Sequence, residues 1–337
     1  MYKYTNFIPE NTAPTGARNI GVYDKTGNKV CGFSLAKLSL PVNEADRLYR
    51  FGAISDIHLQ YDTAQADFQR ALTYFNHTED VDFTCISGDL TSEGTASELS
   101  TYKSYVETYS ANTPVYAVTG NHDVRNGLQN SIGNYTGQPL YYSFTHGNDV
   151  FIMMGVNKQA EGQLFTAAQL QWFYETLEAN RNKRCFVFHH VRPQDGCGNA
   201  MGIYSYDIWG GTEATVFEAL MSHYKNAHQF HGHSHLKFSL QSYSDKANID
   251  HIFGGWSIHV PSLAVPRGAN SALNGVEQLY SESEGYVVDV YDSGIHLRGR
   301  DFVKDEFLPI ASYWLDTSLQ TIEANTFTDS TGTIRTT

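Results

Sequence analysis

The stretch LYRFGAISDIH at residues 48–58 carries the clearest structural signal, because an apolar run ends there in a carboxylate and an imidazole. A short apolar run such as residues 48–55, bounded by polar residues, predicts a buried strand. Asp56 and His58 follow it directly. Alternate residues of an extended chain point the same way, so both side chains can face one cavity. The stretch therefore predicts a strand with a polar site at its carboxyl end.

Four further apolar segments end in the same kind of polar cluster. These clusters are Gly88-Asp89, Gly120-Asn121-His122-Asp123, His189-His190 and His231-Gly232-His233-Ser234-His235. Ligand sites in open α/β sheets lie just beyond the carboxyl ends of the strands, so all five clusters are expected to meet in space. That convergence supports a site more strongly than any single cluster does.

Amphipathic helical segments separate these strands and set the fold class. They are predicted at residues 63–76, 95–109, 166–179 and 212–224. Strands that alternate with helices predict an α/β fold, with a parallel or mixed sheet covered on both faces. The pattern later becomes β-rich, with strand-like segments at 238–243, 286–291 and 295–300. It predicts a second, more antiparallel sheet.

The two ends of the chain are predicted to lie outside the α/β unit of residues 47–302. Residues 1–46 form a small N-terminal β appendage in this interpretation, with two strands around a turn at 25–28. Residues 303–337 form a C-terminal extension, and from residue 317 it is rich in Thr, Ser and Asn, which predicts a loose tail. No motif in the appendage indicates a partner.

The charge balance excludes one class of function. The chain has 36 acidic and 23 basic residues and a formal net charge of −13. Phosphate backbones are bound by a surplus of Lys and Arg, so no general nucleic-acid binding is expected.

The chain has an unusual number of histidines, 14. This count matters because His serves in metal binding and in proton transfer near neutral pH.

Apolar runs and cysteines bear on the compartment. Residues 1–10 lack a signal-peptide core, and residues 151–156 are too few to span a bilayer. Cys85 and Cys185 sit in strand-like runs, which predicts buried free thiols. The expected protein is soluble and cytoplasmic, with secretion left open if a signal was trimmed.

The residue types in the clusters indicate metal binding. Carboxylate, amide and imidazole donors together suit Zn, Mn or Fe better than Ca or Mg. The donors are too many for one tetrahedral ion, and two ions that share a carboxylate use them more naturally.

The ordered series Asp56-x-His58, Gly88-Asp89, Gly120-Asn121-His122-Asp123, His189 and Gly232-His233-x-His235 resembles the motifs of the calcineurin-like metallophosphoesterases. All five motifs are present in order, which makes the resemblance specific. It implies a catalytic domain at residues 47–302 and a two-sheet β-sandwich flanked by helices, with α/β/β/α layers.

The resemblance also implies roles for single residues. It assigns one ion to Asp56, His58, Asp89 and His235, and the other to Asp89, Asn121, His189 and His233. His122 corresponds to the catalytic histidine beside the metals, and Asp123 would orient its ring. His189 is favoured over His190 because it directly follows the strand, and His190 remains the alternative ligand.

Four residues are candidate substrate contacts. Arg125 and Arg192 follow site residues and can clamp a phosphate oxygen, although solvated surface arginines are an equal alternative. Tyr204 and Trp209 can stack on an aromatic group, with packing inside their own loop as the favoured alternative. Ser92 stands where purple acid phosphatases carry a Tyr, which argues against the coloured Tyr–Fe(III) subgroup.

The expected function is a dinuclear metal-dependent phosphoesterase for small-molecule substrates. Attack by a hydroxide that bridges the two ions would cleave phosphodiesters, including nucleotides or cyclic nucleotides, or phosphomonoesters. Diesters are somewhat favoured. One alternative is a metal-dependent nuclease, and another is a non-catalytic binding or scaffold protein that retains the metal site.

Overall fold

The computed structural model describes residues 8–10, 17–23, 29–36, 42–61, 63–158, 164–192, 196–198, 212–242, 248–251, 253–270, 275–318, 326–328 and 334–336. Most strands in these ranges lie in two six-stranded mixed sheets. Three early strands form a separate antiparallel sheet, β1 (Ile8–Glu10), β2 (Ala17–Tyr23) and β3 (Lys29–Ala36). The β2–β3 pair confirms the hairpin that the sequence predicts in this part of the chain.

The first large sheet combines parallel and antiparallel strands. Its parallel strands are β4 (Tyr49–Ile54), β5 (Phe83–Ile86) and β6 (Val115–Ala117). The second sheet contains β7 (Tyr141–His146), β8 (Asp149–Met154), β9 (Cys185–Phe188), β10 (Ala227–His231), β11 (Ile249–Asp250) and β12 (Ser257–His259). Two-stranded ribbons are formed by β13 (Arg267–Asn270) with β14 (Gly275–Gln278) and by β18 (Thr326–Thr328) with β19 (Ile334–Thr336).

Three late strands depart from the sequence prediction. Strands β15 (Glu284–Val290), β16 (Gly294–Asp301) and β17 (Glu306–Asp316) extend the first sheet, in the order β17-β16-β15-β4-β5-β6, and do not form a separate sheet. Strand β17 pairs with β16 and continues this sheet beyond residue 302. The predicted strand at 238–243 is wrong, because Phe238–Ser242 is a 3-10 helix.

Five α-helices lie in the described ranges, and four of them cover the sheets. They are α1 (Ala64–His77), α2 (Ala96–Tyr109), α3 (Gly133–Thr136), α4 (Ala167–Ala179) and α5 (Thr212–His223). Thr95 and Glu98 form a capping box that starts α2, and the Thr166 side chain caps α4. Among the residues that the structure describes, no helix has the length and apolar character needed to cross a membrane.

The strands place alternate side chains in two different layers. Phe51 and Ala53 of β4 lie in the core between the sheets, whereas Ile54 packs with α1 and α2. In the second sheet, Phe186 and Phe188 of β9 face the inter-sheet core, and Val187 packs with α4 and α5. Because strands have a side-chain period of two, each sheet is apolar on both faces. The order of layers is therefore α/β/β/α, as predicted.

The buried carboxyl of Glu284 holds the segment that follows the last histidine cluster. Its Oε2 accepts a hydrogen bond from the Phe238 N–H at 2.7 Å. Burial raises the pKa of Glu284 from 4.5 to about 8, so the folded protein keeps this carboxyl neutral where the unfolded chain ionises it. The stability that the neutral group provides is complete below pH 4.5 and is lost as the pH rises through about 8.

We expect Glu284→Gln to stabilise the protein at alkaline pH, because glutamine stays neutral and still accepts the Phe238 N–H. The gain in the free energy of unfolding should be near zero at pH 4.5 and about 5 kcal/mol at pH 9, measured by urea unfolding. Glu282→Gln is the matched control: despite burial, Lys237 and Lys304 lower the pKa of Glu282, so its effect should have the opposite sign. A gain for Glu284→Gln that is equal at all pH values would contradict the expectation.

Candidate metal centre

The polar clusters at the ends of five strands meet at one edge of the two sheets. Two groups of donors have all their ligand atoms within 4.8 Å of one another: Asp56, His58, Asp89 and His235, and Asp89, His190 and His233. Asp89 belongs to both groups. The structure therefore brings together two adjacent sets of metal-binding side chains around one shared carboxylate.

Short distances join these donors. Asp89 Oδ2 lies 3.0 Å from His190 Nε2 and 3.6 Å from His58 Nε2. His235 Nε2 lies 3.1 Å from Asp56 Oδ1 and 3.1 Å from His58 Nε2. Several nitrogen and oxygen lone pairs thus converge, an arrangement suited to ligands that share a cation.

Backbone carbonyls orient two of the imidazole rings. His235 Nδ1 donates to the Val265 carbonyl at 3.2 Å, and His190 Nδ1 donates to the Ser87 carbonyl at 2.7 Å. A carbonyl only accepts hydrogen bonds, so each Nδ1 carries a proton and each Nε2 is the ring nitrogen that remains for a metal ion. Both Nε2 atoms face the donor groups, in the orientation that metal ligation requires.

Burial and mutual charge set the protonation states. Burial lowers the pKa of His58 and of His233 to about 3, so both rings are neutral near pH 7. Burial acts to raise the pKa of Asp89, but neighbouring histidines, His190 first, hold it well below its usual range. Burial acts to lower the pKa of His190, but Asp89 and Asp56 outweigh it and raise the pKa to about 9. Binding of a cation beside His190 would therefore release a proton.

Asn121 supplies an independent test of whether the site fits a cation. Its Oδ1 is buried and has no hydrogen-bond partner among the described residues. A buried amide oxygen without a donor is costly, and a cation would satisfy it. With this oxygen the centre offers carboxylate, imidazole and amide donors, a set that fits transition-metal ions.

The backbone is strained at the candidate ligands. Seven non-glycine residues in the described ranges have positive φ, and five of them are Asp56, His58, Asp89, His233 and His235, with φ between 46° and 74°. The left-handed region costs an L-residue about 1–2 kcal/mol. Such strain persists where the surrounding structure imposes it, and it is typical of functional sites.

Two glycines of the sequence motifs leave room for the carboxylates. A Cβ at Gly120 would lie 2.1 Å from Asp89 Oδ1, and a Cβ at Gly232 would lie 2.2 Å from Asp56 Oδ2. Both distances are far below van der Waals contact. Any side chain at either position would displace a candidate ligand, which explains why glycine precedes Asn121 and His233.

His122 lies beside the donor groups, but a different group from the expected one orients its ring. Its Nδ1 donates to the Ser92 carbonyl at 2.7 Å, and its Nε2 lies 3.9 Å from Asp89 Oδ2. The buried Asp123 carboxylate instead accepts from the N–H groups of Gly120 and Thr91 at 2.7 and 2.9 Å. The expectation for Asp123 is thus corrected: it ties together the loops that follow β5 and β6.

The structure places His190, and not His189, with the other candidate ligands. His189 continues the alternation of β9, so its ring faces α5, 4.9 Å from the Phe217 ring centre. Its Nε2 lies 2.9 Å from Gln229 Oε1. His190 begins the turn after the strand and faces the centre. The preference for His189 is corrected, because the strand's period of two assigns His189 to the helix layer.

The candidate substrate residues are dispersed. Arg125 Nη2 lies 3.1 Å from His122 Nε2, and Nη1 donates to the Ser92 carbonyl at 2.9 Å. Arg192 is buried, and its charge acts on His231 and Cys197. Tyr204 and Trp209 lie outside the described residues.

Cys85 and Cys185 are buried free thiols, as predicted.

Sequence reasoning missed two aromatic residues beside the centre. The Tyr61 ring lies 5.0 Å from the His58 ring, and the Tyr280 ring lies 6.3 Å from that of Tyr61. Burial, and then Tyr280, raise the pKa of Tyr61 above its ordinary value of 10.0. The charges of Arg267 and Arg125 offset only part of this rise. No local pattern marks Tyr280, because a separate ribbon brings it to the centre.

The comparisons with known proteins agree with this geometry. A family model described as calcineurin-like phosphoesterase matches residues 49–237, more than half of the chain. Comparison with curated protein sequences finds no match.

Solved structures share the fold at low identity. Purple acid phosphatase PPD1 from yellow lupin (Lupinus luteus) seeds is 13% identical with a TM-score of 0.53, over 89% of this chain and 59% of that chain. GAP50, described as the anchor in the inner membrane complex of Plasmodium, is 17% identical with a TM-score of 0.50, over 80% and 88%. A conserved uncharacterised protein of Streptococcus pneumoniae, described as a predicted phosphoesterase, is 15% identical with a TM-score of 0.40, over 80% and 97%. The first two likenesses concern the fold alone.

Proposed function

This chain belongs to the calcineurin-like phosphoesterase family, and on that premise we propose that it hydrolyses phosphodiesters with two transition-metal ions, Mn, Fe or Zn. The observation that carries the proposal is the pair of buried donor groups that share Asp89. One ion would be held by Asp56, His58, Asp89 and His235. The other would be held by Asp89, Asn121, His190 and His233. When bound, two such ions neutralise a phosphate and lower the pKa of a water molecule.

His122 is the proposed proton donor for the leaving group. Two hydrogen bonds hold His122 in place, one from its backbone and one from its ring. The backbone N–H donates to Asp89 Oδ1 at 2.9 Å, and the ring Nδ1 donates to the Ser92 carbonyl. Nε2 therefore points to the open side, where Arg125 Nη2 approaches it. A bound phosphate oxygen would compete for Arg125. Nε2, once released and protonated, can deliver its proton to the departing alkoxide.

The charges around the centre favour diesters over monoesters. A dianionic phosphomonoester carries a second negative charge, which a cationic side chain beside the two ions would have to stabilise. The arginine beside His122 is already ion-paired, since Arg125 Nη1 lies 3.1 Å from Glu93 Oε1. A monoanionic diester needs no further cation, so we propose it as the better substrate.

The test is hydrolysis of bis-p-nitrophenyl phosphate and p-nitrophenyl phosphate by chelated and metal-reconstituted protein. We expect about two bound ions per chain, loss of activity on chelation, recovery with Mn²⁺ or Zn²⁺, and kcat/KM about tenfold higher for the diester. Protein with two ions and no hydrolysis of either ester would favour a binding or scaffold role. Degradation of single-stranded DNA with steep salt dependence would favour a nuclease.

A further inference from the structure

Tyr61 and Tyr280, here called the aromatic wall, extend outward from the donor groups. The Tyr61 ring lies 5.0 Å from the ring of His58, and Tyr280 meets Tyr61 edge to face at 6.3 Å. The two residues come from distant parts of the chain, before α1 and after β14. The wall therefore begins at a candidate metal ligand and ends at the surface.

The surrounding structure fixes the inner ring of the wall. The Tyr61 N–H donates to the His58 carbonyl at 2.9 Å, and the Tyr61 carbonyl accepts from the Ala64 N–H at 3.1 Å. The ring packs against Ala64, Ala264 and Val265. The Val265 carbonyl also accepts the hydrogen bond from His235 Nδ1. Val265 therefore contacts both the Tyr61 ring and a candidate metal ligand.

The outer ring is held in place and yet uncovered. Tyr280 is 46% exposed and is one of four large hydrophobic residues exposed in the described ranges. Its hydroxyl donates to Gln278 Oε1 at 2.6 Å, and its carbonyl accepts from the Thr63 hydroxyl at 3.4 Å. A positioned aromatic face beside a catalytic centre presents apolar area that a ligand can cover.

We propose that the aromatic wall is a specificity subsite that stacks the planar ring of an aromatic or heteroaromatic phosphoester. The proposal rests on the proposed function, because the phosphate of such a substrate would sit at the donor groups while its ring extends along the wall. A ring joined directly to the phosphate reaches Tyr61, and a base carried on a sugar reaches Tyr280. Stacking of one base on an aromatic side chain contributes about 1–3 kcal/mol, which corresponds to roughly tenfold or more in affinity.

The experiment measures binding to the metal-reconstituted protein by calorimetry, with two matched pairs of probes. AMP and ribose 5-phosphate differ only in the base, and phenyl phosphate and methyl phosphate differ in the ring. We expect the ring-bearing member of at least one pair to bind about tenfold more tightly. Tyr280→Ala should remove the preference for AMP, whereas Tyr280→Phe should keep that preference. Tyr61→Leu should remove the preference for phenyl phosphate.

Phe307→Ala is the matched control, because Phe307 is an exposed aromatic residue on β17 and should leave both preferences unchanged. Equal affinities within both pairs, or preferences that survive both wall variants, would overturn the inference. Hydrolysis of bis-p-nitrophenyl phosphate is measured in parallel. Selective binding without hydrolysis would refute the proposed reaction and support the aromatic subsite. Hydrolysis without selective binding would support the reaction and refute the subsite.

Discussion

Asp89→Asn is expected to abolish phosphoester hydrolysis and to lower the number of bound metal ions from two to at most one. Asp89 is the only residue in both donor groups of the described chain, and its Oδ2 lies 3.0 Å from His190 Nε2. Asparagine keeps one acceptor oxygen but removes the negative charge and directs an NH₂ group toward the cations. We expect kcat to fall by at least about a thousandfold.

The effect of Asp89→Asn is measured by metal analysis and by steady-state hydrolysis of bis-p-nitrophenyl phosphate. Asp82→Asn is the matched control, because Asp82 is an exposed carboxylate just before β5, whereas Asp89 follows that strand. It removes the same charge away from the centre and should retain two ions and wild-type kcat. Two ions and normal turnover in Asp89→Asn would refute the dinuclear site.

The second large effect is expected from one of two adjacent histidines. His190→Ala should lose one ion and reduce kcat about 100- to 1000-fold, because His190 Nε2 faces both Asp89 and His233. His189→Ala should keep two ions, because the His189 ring packs on Phe217 in the helix layer. Its cost is stability: the loss leaves Gln229 Oε1 buried without this partner and should lower the free energy of unfolding by about 1–3 kcal/mol.

Metal content and urea unfolding separate these two variants, and each serves as the control for the other. The expected pattern is a metal defect in His190→Ala and a stability defect in His189→Ala. The opposite pattern, with an ion lost only in His189→Ala, would restore the assignment favoured by sequence reasoning.

The layered fold was predictable to a large extent because its local signals agree with one another. Apolar runs such as residues 83–86, followed by a helix with a Thr95–Glu98 capping box, lead directly to strands alternating with helices. The late strands were harder to predict. Strand β15 pairs with β4 across more than two hundred residues of chain, and no local pattern shows that it joins the first sheet. Phe238–Ser242 has strand-like composition, but it is a 3-10 helix in which the Phe238 N–H is bonded to Glu284.

The site was predictable in its residue types and less so in its contacts. Asp56, His58, Asp89 and His235 were expected to share one ion, and the structure places all four within one donor group. Ser92 could not be identified as the partner of His122, because the acceptor is a backbone carbonyl, which every residue carries. The role of Asp123 was misread for the same reason: its partners are mainly backbone N–H groups.

The sequence alone determined that an apolar strand within residues 48–55 is followed directly by Asp56 and His58, and that four later segments end in similar clusters. Hydrophobic periodicity and residue chemistry are local properties, so they can be recognised from the sequence alone. Only the tertiary structure decided that His190, and not His189, lies with Asp89 and His233, that Asp89 belongs to both donor groups, and that Tyr280 contacts Tyr61. These outcomes depend on how strand ends are oriented and which backbone groups they meet once two sheets have packed together, and such contacts do not exist in the unfolded chain.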